Sequence, residues 1–99
     1  MKFIVVSGSM RFYPKFFDDE AVKITIDGNI PYCPFVSSEK EATYDKIKPI
    51  LENLYFEVIR LYADELRVIN VGGYVGESTR AEIACAEKKG IPITYLEGL

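Results

Sequence analysis

The chain has 99 residues, a net charge of −3 and an acidic pI near 4.9, and 48% of its residues are hydrophobic. That size suits one domain with a packed core over residues 1–99, and no basic face stands out that would grip a nucleic-acid polymer. Histidine is absent, which excludes Ser-His-Asp and Cys-His catalysis and H-E-x-x-H zinc sites and leaves Asp, Glu, Lys and Tyr for acid–base chemistry.

Phe3-Ile4-Val5-Val6 is a short continuous apolar run and reads as a buried strand. Ser7-Gly8-Ser9 breaks it, and the run is too short for a signal-peptide core. Met10-Arg11-Phe12 leads to Pro14, which suits a first helical turn because its missing N–H has no intrahelical partner there. Phe16, Phe17, Ala21, Ile24 and Ile26 recur near helical spacing, and Asp27-Gly28-Asn29 is the stop. Phe12, Phe16 and Phe17 are assigned to the core, and Asp18-Asp19-Glu20 to a solvated cluster near the helix start. Ile30 to Val36 is apolar and aromatic but holds Pro31 and Pro34, the mark of an interrupted or edge strand.

Ser38 and Glu41 are spaced as a capping box. The polar stretch to Lys48 reads as a helix or as a loop, and Pro49 as the start of a further helix. Ile50, Leu51, Leu54, Val58, Leu61 and Tyr62 form the apolar stripe of that helix. Tyr55, Phe56 and Ile59 add more apolar surface than one face requires, which points to a homo-oligomer, a dimer or larger. Arg67 to Val71 is the next strand, Ser78 to Lys89 a helix stopped by Gly90, and Ile91 to Leu96 the last strand. No apolar run is long enough to span a bilayer, so the expectation is a cytoplasmic protein of bacterial or viral style with no membrane partner. Cys33 and Cys85 form no C-x-x-C pair and read as buried thiols, and neither a metal nor a cofactor is expected.

The alternation of strand and helix implies an α/β fold: a mostly parallel sheet of four to five strands, covered on both faces as a three-layer sandwich, with right-handed crossovers. Ligands on such sheets bind beyond the carboxyl ends of the strands. Two turns meet that description, Ser7-Gly8-Ser9-Met10-Arg11 after the first strand and Gly72 to Ser78 after the third, so the strands before them are expected side by side. Ser9 and Arg11 suit a phosphate or a sugar hydroxyl, or else are ordinary surface groups. Gly72, Gly73 and Gly76 within five residues suggest close approach of a ligand to backbone. Tyr74 between them stacks on a base or shields the turn. Glu82 has two readings: with Thr79 it fits the S/T-x-x-E capping box, or its carboxylate is a nucleophile aimed at the strand tips.

Val5 to Phe12, taken with Ala63-Asp64-Glu65 and with Val68-Ile69-Asn70-Val71-Gly72-Gly73-Tyr74-Val75-Gly76-Glu77-Ser78-Thr79-Arg80-Ala81-Glu82-Ile83, resembles the nucleoside 2-deoxyribosyltransferase-like superfamily, in particular its small bacterial and phage members. The resemblance implies a flavodoxin-like or Rossmann-like fold and cleavage or transfer of the N-glycosidic bond of deoxynucleosides or their 5′-phosphates. It places the nucleophile on Glu82. It places sugar-phosphate contacts on Gly8, Ser9 and Arg11; with Met10 between them, Asn70, Gly72, Gly73, Tyr74, Gly76, Glu77 and Ser78 complete the candidate binding set. The ligand is then a nucleoside, nucleotide or nucleotide-derived small molecule. The family's catalytic Asp falls near Tyr55-Phe56-Glu57, where the chain has Glu57 instead; Glu57, Asp64 and Tyr74 are the candidates for protonating the leaving base. The same pocket without a competent acid would be a non-catalytic binding module.

Overall fold

The computed structural model describes residues 1–9, 14–33 and 41–98. Among them, β1 (Phe3–Ser7), β2 (Ile30–Tyr32), β3 (Glu65–Val68) and β4 (Ile93–Tyr95) alternate with α1 (Pro14–Ile26), α2 (Glu41–Leu61) and α3 (Glu77–Lys89). The sheet order is β2-β1-β3-β4 and every pairing is parallel. This is the parallel α/β sheet that the alternation of elements implies, in a flavodoxin-like or Rossmann-like arrangement. No helix among the described residues is long and apolar enough to cross a membrane.

Side chains alternate across each strand, and the two faces pack against different helices. Val5, Leu66 and Val68 join Tyr55, Ile59 and Ala63 of the α2 region and Ala86 of α3 in one core. Ile4 and Val6 join Phe17 and Ile24 of α1, with Ile69, in the other. Ile4, Val5 and Val6 are thus all buried, as a central parallel strand must be. β2 lies at the sheet edge, where Pro31 removes no needed ladder donor. β1 and β3 are neighbours as expected, in register from Ile4↔Glu65 to Ser7↔Val68.

Several elements differ from the sequence reading. Glu41 to Leu61 is one continuous helix with Pro49 inside it, rather than a helix beginning at Pro49; Ser38 of the expected capping box lies outside the described residues, as do Phe12 and residues 34–36. The face of α2 turned to the sheet carries Leu51, Tyr55 and Ile59, leaving Ile50, Leu54, Leu61 and Tyr62 exposed. The stripe is therefore rotated by one residue from the expected one, because Tyr55 enters the core and donates its hydroxyl to the Val6 carbonyl at 3.1 Å. β3 ends at Val68 and not Val71, since the chain turns into a short 3₁₀ segment over Val71–Gly73. β4 starts at Ile93; Pro92 before it cannot donate, though its carbonyl accepts the Leu66 N–H at 3.0 Å.

Two polar assignments also change. Glu20 is buried, not solvated: it pairs with Arg67 of β3 and Lys23, and Arg67 also pairs with buried Glu65. These charges cover the face of β3 on the α1 side. Phe16 is exposed rather than in the core. Cys33 and Cys85 are free thiols, half-buried rather than fully so, and burial followed by the nearby Asp18 and Glu20 charges pushes the Cys33 thiol up to about 11.

Candidate functional site

Ser7 ends β1 and is buried; its carbonyl accepts the Ile69 N–H at 2.8 Å, which ties the tips of β1 and β3 together. Gly8 follows. A Cβ there would lie 2.9 Å from the Ile69 Cβ and 3.1 Å from its carbonyl oxygen, so the close approach that demands glycine is to the chain's own β3 tip.

Glu82 reaches this junction from α3. Its Oε1 accepts a hydrogen bond from the Ser7 hydroxyl, a short contact across the gap between helix and sheet. The capping-box reading does not hold. Gly76, in extended conformation (φ −74°, ψ 173°), takes the cap position without a side-chain cap bond, and the helix begins at Glu77. Thr79 therefore lies inside the helix, and Glu82 stands in its second turn with its carboxylate directed at β1 instead of back at a cap N–H.

Glu82 is buried, 7% exposed. Burial raises its pKa from 4.5 to about 7, the Ser7 hydrogen bond pulls the other way, and the charge of Glu52 raises it further. Glu52 comes from α2 and accepts a 2.5 Å hydrogen bond from the Ser78 hydroxyl. Ser78 and Glu82 are four residues apart on α3 and so share a face, which sets the two carboxyl groups beside each other. Among the described residues no cation pairs with Glu82.

The turn after β3 is the second part of the site. Gly72 and Gly73 have φ of 63° and 79°, and nothing lies within 4 Å of where their Cβ atoms would be. They are glycines because the left-handed turn requires it. At Gly76 the space is filled by Tyr74, whose hydroxyl would stand 3.3 Å from a Cβ; the half-exposed ring folds over the turn. Asn70 is buried, and both ends of its amide are engaged: Nδ2 donates to the Glu97 carbonyl at 2.9 Å and Oδ1 accepts the Glu97 N–H at 2.8 Å. The Gly72 N–H donates to the Glu97 carboxylate at 3.1 and 3.3 Å.

The fold thus brings Gly8, Ser9, Asn70, Gly72, Gly73, Tyr74, Gly76, Glu77, Ser78 and Glu82 to the carboxyl end of the sheet, while Met10 and Arg11 lie outside the described residues. It does not bring Glu57 or Asp64 there. Glu57 is exposed and paired with Arg60, and Asp64 accepts the Phe3 N–H at 2.8 Å, at the amino end of β1. Glu52 is a site residue that the sequence reading did not single out, and Ser7 was read as part of the first turn but not as the partner of Glu82. The signal for Ser7 was a hydroxyl closing an apolar run; Glu52 carried none, because its place depends on how α2 is rotated. No three His, Cys, Asp or Glu side chains form a metal cluster among the described residues.

Compared with known proteins, the chain matches no family model, no curated protein and no solved structure.

Proposed function

We propose that this site cleaves or transfers the N-glycosidic bond of a nucleoside or nucleotide with Glu82 as nucleophile, the chemistry of the nucleoside 2-deoxyribosyltransferase-like superfamily that the sequence resembles. The observation that carries the reading is a buried carboxyl, at the tip of the central strand, satisfied by a hydroxyl and, among the described residues, next to a second carboxyl rather than a cation. A carboxyl kept in that state is a liability for folding and an asset for chemistry. In the proposed step the ionised Glu82 oxygen forms a bond to C1′ as the C1′–N bond breaks, and the bonding pair leaves on the base nitrogen, which takes up a proton. That proton comes from solvent water, since Glu57 and Asp64 lie elsewhere. Water or a second base then attacks C1′, displaces the Glu82 carboxylate and gives up its own proton. The positive charge that develops on the sugar is stabilised by the carboxylate beside it.

Incubating the protein with the four 2′-deoxynucleosides and their 5′-monophosphates tests this. Free base is the expected product, and a 2-fluoro-sugar nucleoside with a good leaving base is expected to leave an adduct on the peptide containing Glu82. An active wild type whose Glu82→Gln variant is equally fast would overturn the assignment. A non-catalytic module that holds the same ligands is the second reading, favoured by the remote positions of Glu57 and Asp64; binding without release of base would select it.

A further inference from the structure

We infer that Glu97 sets the specificity of this site against phosphorylated ligands; the inference rests on the nucleoside-binding reading above. Its carboxylate sits on the Gly72 N–H, in the turn that follows β3 at the carboxyl end of the sheet. A backbone amide in such a turn is a donor that a phosphate oxygen would seek, and here it already serves a carboxylate. The carboxylate is not free to swing aside with its backbone. Asn70, 1% exposed, holds the Glu97 N–H and carbonyl with one hydrogen bond each, and the preceding residue is fixed by the Leu96 N–H donating to the Val68 carbonyl at 2.8 Å. Leu96 also packs against the core formed with α1.

A negative charge anchored here through its backbone, on an exposed side chain that reaches the Gly72 N–H, is a repulsive element of the kind that specificity requires. Glu97 joins Glu52 and Glu82 at the same end of the sheet. A phosphate dianion brought to this end meets repulsion from Glu97 and also loses the Gly72 donor; a ligand with a free 5′-hydroxyl meets neither penalty. Asn70 is then a positioning residue, since it acts through Glu97.

The test is calorimetric titration of the four 2′-deoxynucleosides and their 5′-monophosphates into the wild type and Glu97→Gln. The substitution removes charge alone, because Gln keeps the backbone that Asn70 clamps and an oxygen for the Gly72 N–H. The wild type is expected to prefer at least one nucleoside over its monophosphate by about tenfold. Glu97→Gln should reduce that preference severalfold by tightening the monophosphate, with nucleoside affinity unchanged. Asn70→Ala should reduce it too, and should also speed amide hydrogen exchange at Gly72 and Glu97. A nucleoside that binds no better than its monophosphate, or a preference unmoved by Glu97→Gln, would overturn the role of Glu97 and leave the nucleoside reading standing. Failure of every nucleoside and monophosphate to bind would overturn both.

Discussion

Burial holds the Glu82 carboxyl at about 7 against 4.5 for a free glutamate, so the folded chain binds a proton there more tightly than the unfolded chain does. The sign follows directly. The contribution of Glu82 to stability is fully present below about 4.5, falls as pH rises between the two values, and is lost above about 7, a change on the order of 3 kcal/mol. Glu82→Gln keeps an acceptor for the Ser7 hydroxyl and has nothing to ionise. It should therefore be more stable than wild type at pH 8 by about 2–3 kcal/mol, with a much smaller difference at pH 4.5; urea unfolding at the two pH values checks this, and an equal shift at both would contradict it. The nucleophile must be ionised, so wild-type turnover should rise with pH through about 7. Ser7→Ala removes the hydrogen bond that pulls the Glu82 pKa down, so the midpoint of that profile, or of a carboxyl NMR titration, should move to higher pH. At Gly8, alanine would press on the Ile69 Cβ from 2.9 Å; the expected cost is about 1–3 kcal/mol, read from the same unfolding curves.

Among the elements, α2 departs most from its sequence pattern, and Pro49 is the reason it reads as two pieces. A proline inside a helix lacks the N–H for one i→i−4 bond and crowds the preceding turn, yet Pro49 is exposed and the helix runs through it. Packing of Tyr55 and Ile59 in the core anchors the helix after that defect, while the residues around Pro49 are largely exposed. Pro49→Ala should accordingly raise stability by about 2 kcal/mol, the helical penalty less the entropy that proline removes from the unfolded chain; an unchanged urea midpoint would mean the defect is compensated locally. The contrast with the other elements shows what a sequence carries. β1 was legible because it is apolar on both faces, α1 because Pro14 and Gly28 mark its ends, and β2 because prolines confine it to an edge. The rotation of α2, the end of β3 and the start of α3 at Glu77 were not legible, since Tyr55, Asn70 and Gly76 are placed by partners distant in the chain. The candidate site divides the same way. Its turns and Glu82 were visible locally, whereas the Ser7–Glu82 and Glu52–Ser78 contacts join residues 75 and 26 apart.

At the scale of the whole molecule, the outward face of α2 carries a row of exposed apolar side chains. Ile50, Leu54 and Leu61 recur at helical spacing and are 59%, 45% and 53% exposed, with Tyr62 at 62% beside them. Single exposed apolar residues are ordinary, but a row along one helix is the mark of an interface. We propose that copies of the chain associate through it. The net charge of −3 opposes that association, and the Glu57–Arg60 pair on the same helix is internally neutral, so the attraction has to be apolar. Two consequences distinguish it from a contact built on ion pairs. Raising salt should strengthen association, because screening weakens like-charge repulsion and leaves apolar burial intact; an interface of salt bridges would weaken. The double variant Leu54→Lys, Leu61→Lys should sediment as a monomer where wild type sediments as a larger species, and it should do so without moving the Glu82 titration, since the stripe faces away from the sheet that carries Ser7. A wild type that stays monomeric at the highest attainable concentration in both low and high salt would remove the argument, and the exposed row would then be surface the fold tolerates.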